Sequence, residues 1–119
     1  AMSGLSSKDI DLVQTSAPFS FVNLMILEDL GFAARGEAGN FVEGGGIDYE
    51  GGLPFNTNGG YLSFGQVAQG LYNLTETIDQ LWGRAEGRQV ADPKIGMVHG
   101  HGGVLACHAV VIVSREQIQ

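Results

Sequence analysis

Two stretches of the chain carry apolar residues at helical spacing. Phe19, Val22, Ile26, Leu27 and Leu30 line one side of a first helix, with Ser16 and Pro18 just ahead of them. Ser caps the free amides of a first turn and Pro is tolerated there, so this helix is expected to open near Ser16. Gly31 supplies a left-handed stop. Val67, Leu71, Leu74, Ile78 and Leu81 lay a single apolar stripe along about four turns of a second helix. Ser63 and Gln66 form an S-x-x-Q capping box ahead of it, and Gly83 and Gly87 close it.

The other apolar runs suit strands. Ile10 to Val13 is a short one, with Asp9 and Asp11 at its mouth. After Pro93, Lys94 to His99 reads as a second, and Val104 to Ser114 as a longer third that is apolar on both faces. Gly100 to Gly103 reads as a tight turn, so the last two strands are expected to pair antiparallel. Ala1 to Leu5 has the look of a helix tail. Residues 32–60 have no period and are punctuated by Gly36, Gly39, Gly44 to Gly46, Gly51 and Gly52. Structureless connections beyond about 12–15 residues are usually functional or disordered; Leu53 to Thr57 is expected as a short extended piece within this one. The order is strand, helix, long Gly-rich loop, helix, strand, strand: a layered α/β fold, one domain over residues 1–119, without internal repeat.

Composition narrows the function classes. A hydrophobic fraction of 44% and a charged fraction of 16% are those of a globular chain. The net charge is −7 with only six Lys and Arg. That speaks against phosphate-backbone binding and against an anionic membrane surface, which both need a basic face. No window approaches the roughly 20 apolar residues of a spanning helix, and no basic-then-apolar signal peptide is expected. Cys107, the single cysteine, excludes an internal disulfide and fits a reducing compartment, so a cytoplasmic protein is expected. Asn73-Leu74-Thr75 is a glycosylation sequon, disregarded without a secretory signal.

Polar groups gather at three places: Ser16-Ala17-Pro18-Phe19, the run from Asn56 to Gln66, and His99-Gly100-His101-Gly102-Gly103. The Asn56-Thr57-Asn58-Gly59-Gly60 turn, followed by Gly65 opening a helix, resembles the signature near the end of thiolases. Leu27 to Phe32, the stretch Arg35 to Gly45, and the ending from His99-Gly100-His101-Gly102-Gly103 into a strand are similar to the sterol-carrier and lipid-transfer branch of that superfamily, which includes acetyl-CoA acetyltransferase-like proteins. The resemblance runs over roughly residues 3–115.

It implies the C-terminal part of a thiolase-like layered fold, in which two similar halves pack together and the site forms where their loops converge. The N-terminal half, which carries the family's nucleophilic Cys, is not in these 119 residues. The resemblance places His99 as general base, Gln66 and Ser16 as donors to a thioester oxygen or a bound water, and Tyr61 as a phenol lining the site. Asn58, Gly59, Gly60 and Gly102 are the expected substrate-binding positions. Coenzyme A thioester is the implied substrate, and no cofactor or metal is expected. The chain departs from the family pattern at Ser16, where a larger polar side chain is usual, at Gln66, where His is usual, and at His99, where a Cys-x-Gly turn is usual. Gln can donate a hydrogen bond but cannot exchange a proton near neutral pH.

Each residue also has a structural reading. Gln66 and Ser16 serve as helix caps. The Asn58-Gly59-Gly60 turn needs positive φ angles, Tyr61 packs under the loop, and Cys107 is a small core residue. His99 and His101, two apart on a strand, share a face; with His108 they raise a zinc reading, although no further ligand has a recognisable spacing. Three functions follow. The first is a C-terminal region of an acyl-CoA acyltransferase or lipid-transfer-type protein of lipid metabolism, inactive alone. The second is a piece of a thiolase-like aldolase that cleaves steroid side-chain CoA esters, the branch that pairs with a small OB-fold protein. The third is a non-catalytic lobe. The expected partner is an N-terminal thiolase half or a second copy of the chain.

Overall fold

Leu12–Thr15 forms β1, and all four of its residues are buried. The computed structural model describes residues 3–64, 68–103 and 105–117. The other elements are α1 (Ser20–Asp29), α2 (Ala38–Glu43), α3 (Gly60–Phe64), α4 (Gln69–Leu81), β2 (Ile95–Gly102) and β3 (Cys107–Ser114). The sheet order is β1-β2-β3. β1 runs parallel to β2, with Thr15 beside His99, and β3 returns antiparallel, with His101 beside His108. The expected extended piece at 53–57 is present: Phe55 bridges Val13 in parallel, and the Val13 amide donates to the Pro54 carbonyl at 2.9 Å.

One sheet face carries Val13 and Met97, packed with Ile10, Leu30, Phe32, Phe55 and Ile112. Burying such a side chain contributes roughly 1.5–3 kcal/mol. Ala17, Val22 and Ile26 join α1 to this side through Leu30. α4 packs against the opposite face of β1 and β2. Gly96 makes that approach possible, because a Cβ there would collide with Cγ2 of Thr77.

The layered α/β order holds, and several boundaries differ from the expectation. β1 lies two residues later than Ile10–Val13. α1 begins at Ser20 with Phe19 as its cap, so Ser16 caps nothing; Pro18 keeps the preceding backbone extended. Gly31 does take the left-handed conformation, at φ 81°. The Gly-rich stretch contains α2, whose six residues are too few to display a period. α4 starts at Gln69 after Ala68 at φ 58°, and Ser63 lies inside α3. Ser63 therefore does not cap α4, while Gln66 and Val67 lie outside the described residues. Ser3 to Leu5 is not helical, Ser7–Asp9 is one 3-10 turn, and Ala1 and Met2 lie outside the described residues. β2 continues through Gly100 to Gly102, so the chain reverses only after Gly102, with Leu105 at φ 54°. The glycines of β2 stay in the ladder because they pair with Ala109 and Cys107. Val104 lies outside the described residues, and β3 begins at Cys107.

The largest correction concerns α4. Its face toward the sheet is polar: Gln69, Asn73, Glu76, Thr77 and Gln80 are buried. Of the apolar stripe, Leu81 is buried but Leu71 is 63% exposed. A polar face can be buried when its groups are satisfied. Here the partners are α4 itself, Ser16, Thr57 and the segment from Arg88 to Val90, while Gln69 Oε1 has none among the described residues.

Candidate functional site

β1 ends at Thr15 beside His99, midway along β2, and this register brings the Ser16 backbone to the His99 backbone. The Ser16 amide donates to the His99 carbonyl at 3.0 Å. The Ser16 hydroxyl accepts from Asn73 Nδ2 of α4 at 3.2 Å. Ser16 is buried and its hydroxyl is already engaged, so it is held between the sheet and α4 rather than at a helix terminus. His99 is 3% exposed. Burial, and then the neighbouring His108 and His101 rings, push its pKa below the ordinary histidine value. It is therefore neutral at pH 7, the form a general base requires.

His99, His101 and His108 share one sheet face, as the alternation of β2 and the antiparallel register require. Ring centroids lie 5.2 Å apart for His99 and His108, and 6.5 Å for His99 and His101. His99 Nε2 and His108 Nδ1 are 3.0 Å apart, and His108 Nε2 stands 3.2 Å from the Leu105 carbonyl oxygen. Among the described residues, no group of three or more His, Cys, Asp or Glu side chains is arranged to hold a metal ion. His99 and His108 turn ring nitrogens on each other, which removes two ligand atoms from a shared ion. His99 Nδ1 and both ring nitrogens of His101 are buried without a hydrogen-bond partner among the described residues.

His101 also lines an apolar cavity of 430 Å³ with Pro18, Phe19, Val22, Tyr61 and Leu105. Tyr61, half-buried in the first turn of α3, thus faces the same space as His101. A cavity walled by aromatic and aliphatic groups, with a phenol and an imidazole at its edge, suits an apolar ligand bearing a polar reacting group.

The turn before α3 is held from below. Asn56 Oδ1 accepts from the Thr15 amide at 2.6 Å, and Asn56 Nδ2 donates to the Thr15 hydroxyl at 3.1 Å. Asn58 Oδ1 accepts from the Gly60 amide at 2.8 Å, closing the turn on itself. Gly59 and Gly60 have φ of 87° and 60°, and a Cβ on Gly60 would meet Asn56 Nδ2 at 3.0 Å. Gly102 lies under Cys107, whose Sγ stands 2.8 Å from where its Cβ would be. Cys107 itself is exposed rather than in the core.

A buried polar network connects this turn to α4. Gln14 Nε2 donates to the Thr57 hydroxyl at 2.6 Å, and the Thr57 amide donates to Gln14 Oε1 at 3.1 Å. Gln80 Nε2 donates to Glu76 Oε1 at 3.0 Å, and Arg88 grips both carboxylate oxygens of Glu76, the shortest contact being 2.7 Å. Burial raises the Glu76 pKa, but hydrogen bonds from Arg88, Thr57 and Gln80 outweigh it and bring the carboxyl below its ordinary value.

The structure therefore joins Ser16 to His99 through the backbone alone, with the Ser16 hydroxyl turned to α4 on the opposite sheet face. It brings Tyr61 and His101 to one cavity, and sets Asn58, Gly59 and Gly60 at the start of α3. Gly102 stays on β2 opposite Cys107, and Gln66 lies outside the described residues. Sequence reasoning missed Asn56, Gln14, Glu76 and Arg88 as the groups that hold the turn. Gln14 and Thr15, polar within an otherwise apolar strand, were the available signal.

Residues 1–115 match the family model described as thiolase C-terminal domain-like. Over 116 residues the chain is 40% identical to the acetyl-CoA acetyltransferase of Methanothermobacter thermautotrophicus, covering 96% of this chain and 30% of that protein. Over 115 residues it is 36% identical to sterol carrier protein 2 of Rattus norvegicus, covering 95% of this chain and 21% of that protein. Among solved structures it is similar to a chain of an Ltp2-ChsH2(DUF35) aldolase, with a TM-score of 0.84 and 28% identity, over 98% of this chain and 30% of that one.

Proposed function

From the premise that this chain belongs to the thiolase family, as a C-terminal domain-like member, we propose that it supplies one wall of a site for acyl-CoA thioesters. The observation that carries the reading is His99: an imidazole buried midway along β2, kept neutral, with an Nδ1 that has no partner among the described residues. Such a group can take a proton from the carbon beside a thioester. In this reading Tyr61 is the hydroxyl on the cavity side, Ser16 supports His99 through its backbone from the α4 side, and Gln66 completes the set as a donor to the thioester oxygen. The apolar cavity beside Tyr61 takes the acyl portion. Asn58, Gly59, Gly60 and Gly102 form the adjoining backbone that the substrate passes.

The chain spans about a third or less of the relatives it matches. Its acyl-transfer activity accordingly depends on a thiolase-like N-terminal half that brings the nucleophilic Cys. Exposed apolar groups support such a partner, or a second copy of this chain. Leu71 of α4 and the stacked pair Phe19 and Phe21, with ring centroids 5.9 Å apart, stand on the surface. No helix among the described residues is long and apolar enough to cross a membrane, and the proposed setting is the cytoplasm.

A second reading has its own support, the likeness to the aldolase chain. In retro-aldol cleavage of a CoA ester a base takes the proton of a β-hydroxyl, the carbon–carbon bond breaks, and no Cys nucleophile is required. His99 and Tyr61 would carry that reaction, with a small OB-fold protein as partner.

Native mass and acyl-CoA assays test the proposal together. The expected result is no thioester turnover by the chain alone, and turnover when a thiolase-like N-terminal half is supplied. CoA release on condensation, or CoA consumption on thiolysis, marks the acyltransferase, whereas a ketone plus a shortened acyl-CoA marks the lyase. Full turnover by the chain alone would overturn the half-site reading.

A further inference from the structure

The histidine pair on β2 and β3 contains its own tautomer assignment. A backbone carbonyl can only accept, so the contact of His108 Nε2 with the Leu105 oxygen at 3.2 Å requires a proton on Nε2. In a neutral His108 that leaves Nδ1 as an acceptor. His99 Nε2, 3.0 Å from that Nδ1, must then be the donor. A neutral His99 with its proton on Nε2 has its lone pair at Nδ1, the buried atom that has no partner.

We propose that His108 is a positioning residue that fixes His99 in the Nε2–H tautomer and so directs its basic lone pair through Nδ1. This deepens the reading of His99 as the base and rests on it. The contribution is geometric, since a histidine with no hydrogen-bonded neighbour distributes its proton over both nitrogens and loses part of its population to the wrong one. The same arrangement gives a proton somewhere to go. When Nδ1 of His99 takes a proton from substrate, the proton on its Nε2 passes to Nδ1 of His108. His99 is then neutral again with Nδ1–H, and His108 is an imidazolium still bonded to the Leu105 oxygen. His108 is exposed on the edge strand, so it can release that proton to water.

The groups around His99 suit this role. Thr15 and Ser16 approach from β1, neither of them charged. His108 approaches from β3 and His101 from its own strand, and these two are the titratable influences on its ring.

The test is the protonation state of each ring nitrogen, read from long-range ¹H–¹⁵N correlation spectra of the ¹⁵N-labelled 119-residue chain near pH 8. The expected spectrum has His99 and His108 each protonated at Nε2, with His99 Nδ1 bare. His108→Phe removes the acceptor and should convert the single His99 tautomer into a mixture. His108→Asn, whose amide oxygen can take the place of Nδ1, should restore it. A His99 protonated at Nδ1 in the wild type overturns the proposal, and that result needs no variant to fold. An unchanged His99 signal in His108→Phe overturns it as well. Both readouts are independent of turnover, so the tautomer can stand even where His99 proves dispensable for activity.

Discussion

Thr57 donates its hydroxyl to Glu76 Oε1 at 2.6 Å while accepting from Gln14 Nε2 at the same distance. One side chain thereby joins the Gly-rich turn, the centre of β1 and the buried face of α4. Arg88 completes the arrangement by neutralising a carboxylate that is only 3% exposed. The turn that carries Asn58, Gly59 and Gly60 is consequently fixed from the interior, with Gly60 buried and Gly59 exposed.

The two ends of the Arg88–Glu76 pair are unequal. The Arg88 side chain is 40% exposed and can turn to water, whereas Glu76 cannot. Arg88→Ala strands a buried charge and should cost about 2–3 kcal/mol, discounted for the partial exposure of Arg88. Glu76→Gln keeps a hydrogen-bonding group in place and should cost less. Urea denaturation at pH 7 measures both. The stability that comes from the lowered Glu76 pKa is complete above the ordinary value of 4.5 and is lost as pH falls through the lower folded value. That acid loss should shrink in Arg88→Ala.

Gly96→Ala tests the packing of β2 on α4. The new methyl group meets Cγ2 of Thr77, and overpacking of this kind costs roughly 1–3 kcal/mol. Thr77→Ser removes that methyl and keeps the hydroxyl that donates to the Asn73 carbonyl at 2.9 Å. The double variant should therefore be more stable than the sum of the two single changes, as a thermodynamic cycle would report.

His99 makes stability pH-dependent with a definite sign. Its folded pKa lies below the ordinary 6.5, so the unfolded chain binds a proton first as pH falls. Stability conferred by neutral, buried His99 is full above pH 6.5 and declines below it, down to the lowered folded value. Denaturation midpoints at pH 8 and 5.5 should differ more for the wild type than for His99→Asn.

Much of this was legible in the sequence, for physical reasons. Leu12 and Val13 open β1 and Ile95, Met97 and Val98 open β2, apolar signals enough for strands, and Gly31 stops a helix as its backbone freedom allows. His99 and His101 share a face because of the period of a strand. The stripe of α4 misled because an apolar stripe signals burial against something, without saying against what. Here the sheet takes the polar face and leaves Leu71 outside. The support of the site was hidden because Gln14, Thr57, Glu76 and Arg88 are far apart in sequence and meet only in the folded chain.

Leu71→Glu follows from that exposed stripe. If this face of α4 meets a partner or another copy, the substitution should lower the native mass of a self-associated chain, or weaken capture of an N-terminal thiolase half, by at least tenfold. Melting temperature should barely change, since the residue is 63% exposed. Native mass spectrometry and light scattering decide the first outcome, and titration with the N-terminal half decides the second.

The most direct measurement is acyl-CoA turnover by the complete two-half assembly, wild type against His99→Ala. The account predicts a loss of roughly 100-fold or more, the usual contribution of a general base, with circular dichroism and melting behaviour retained. Turnover unchanged in a folded His99→Ala variant would contradict it.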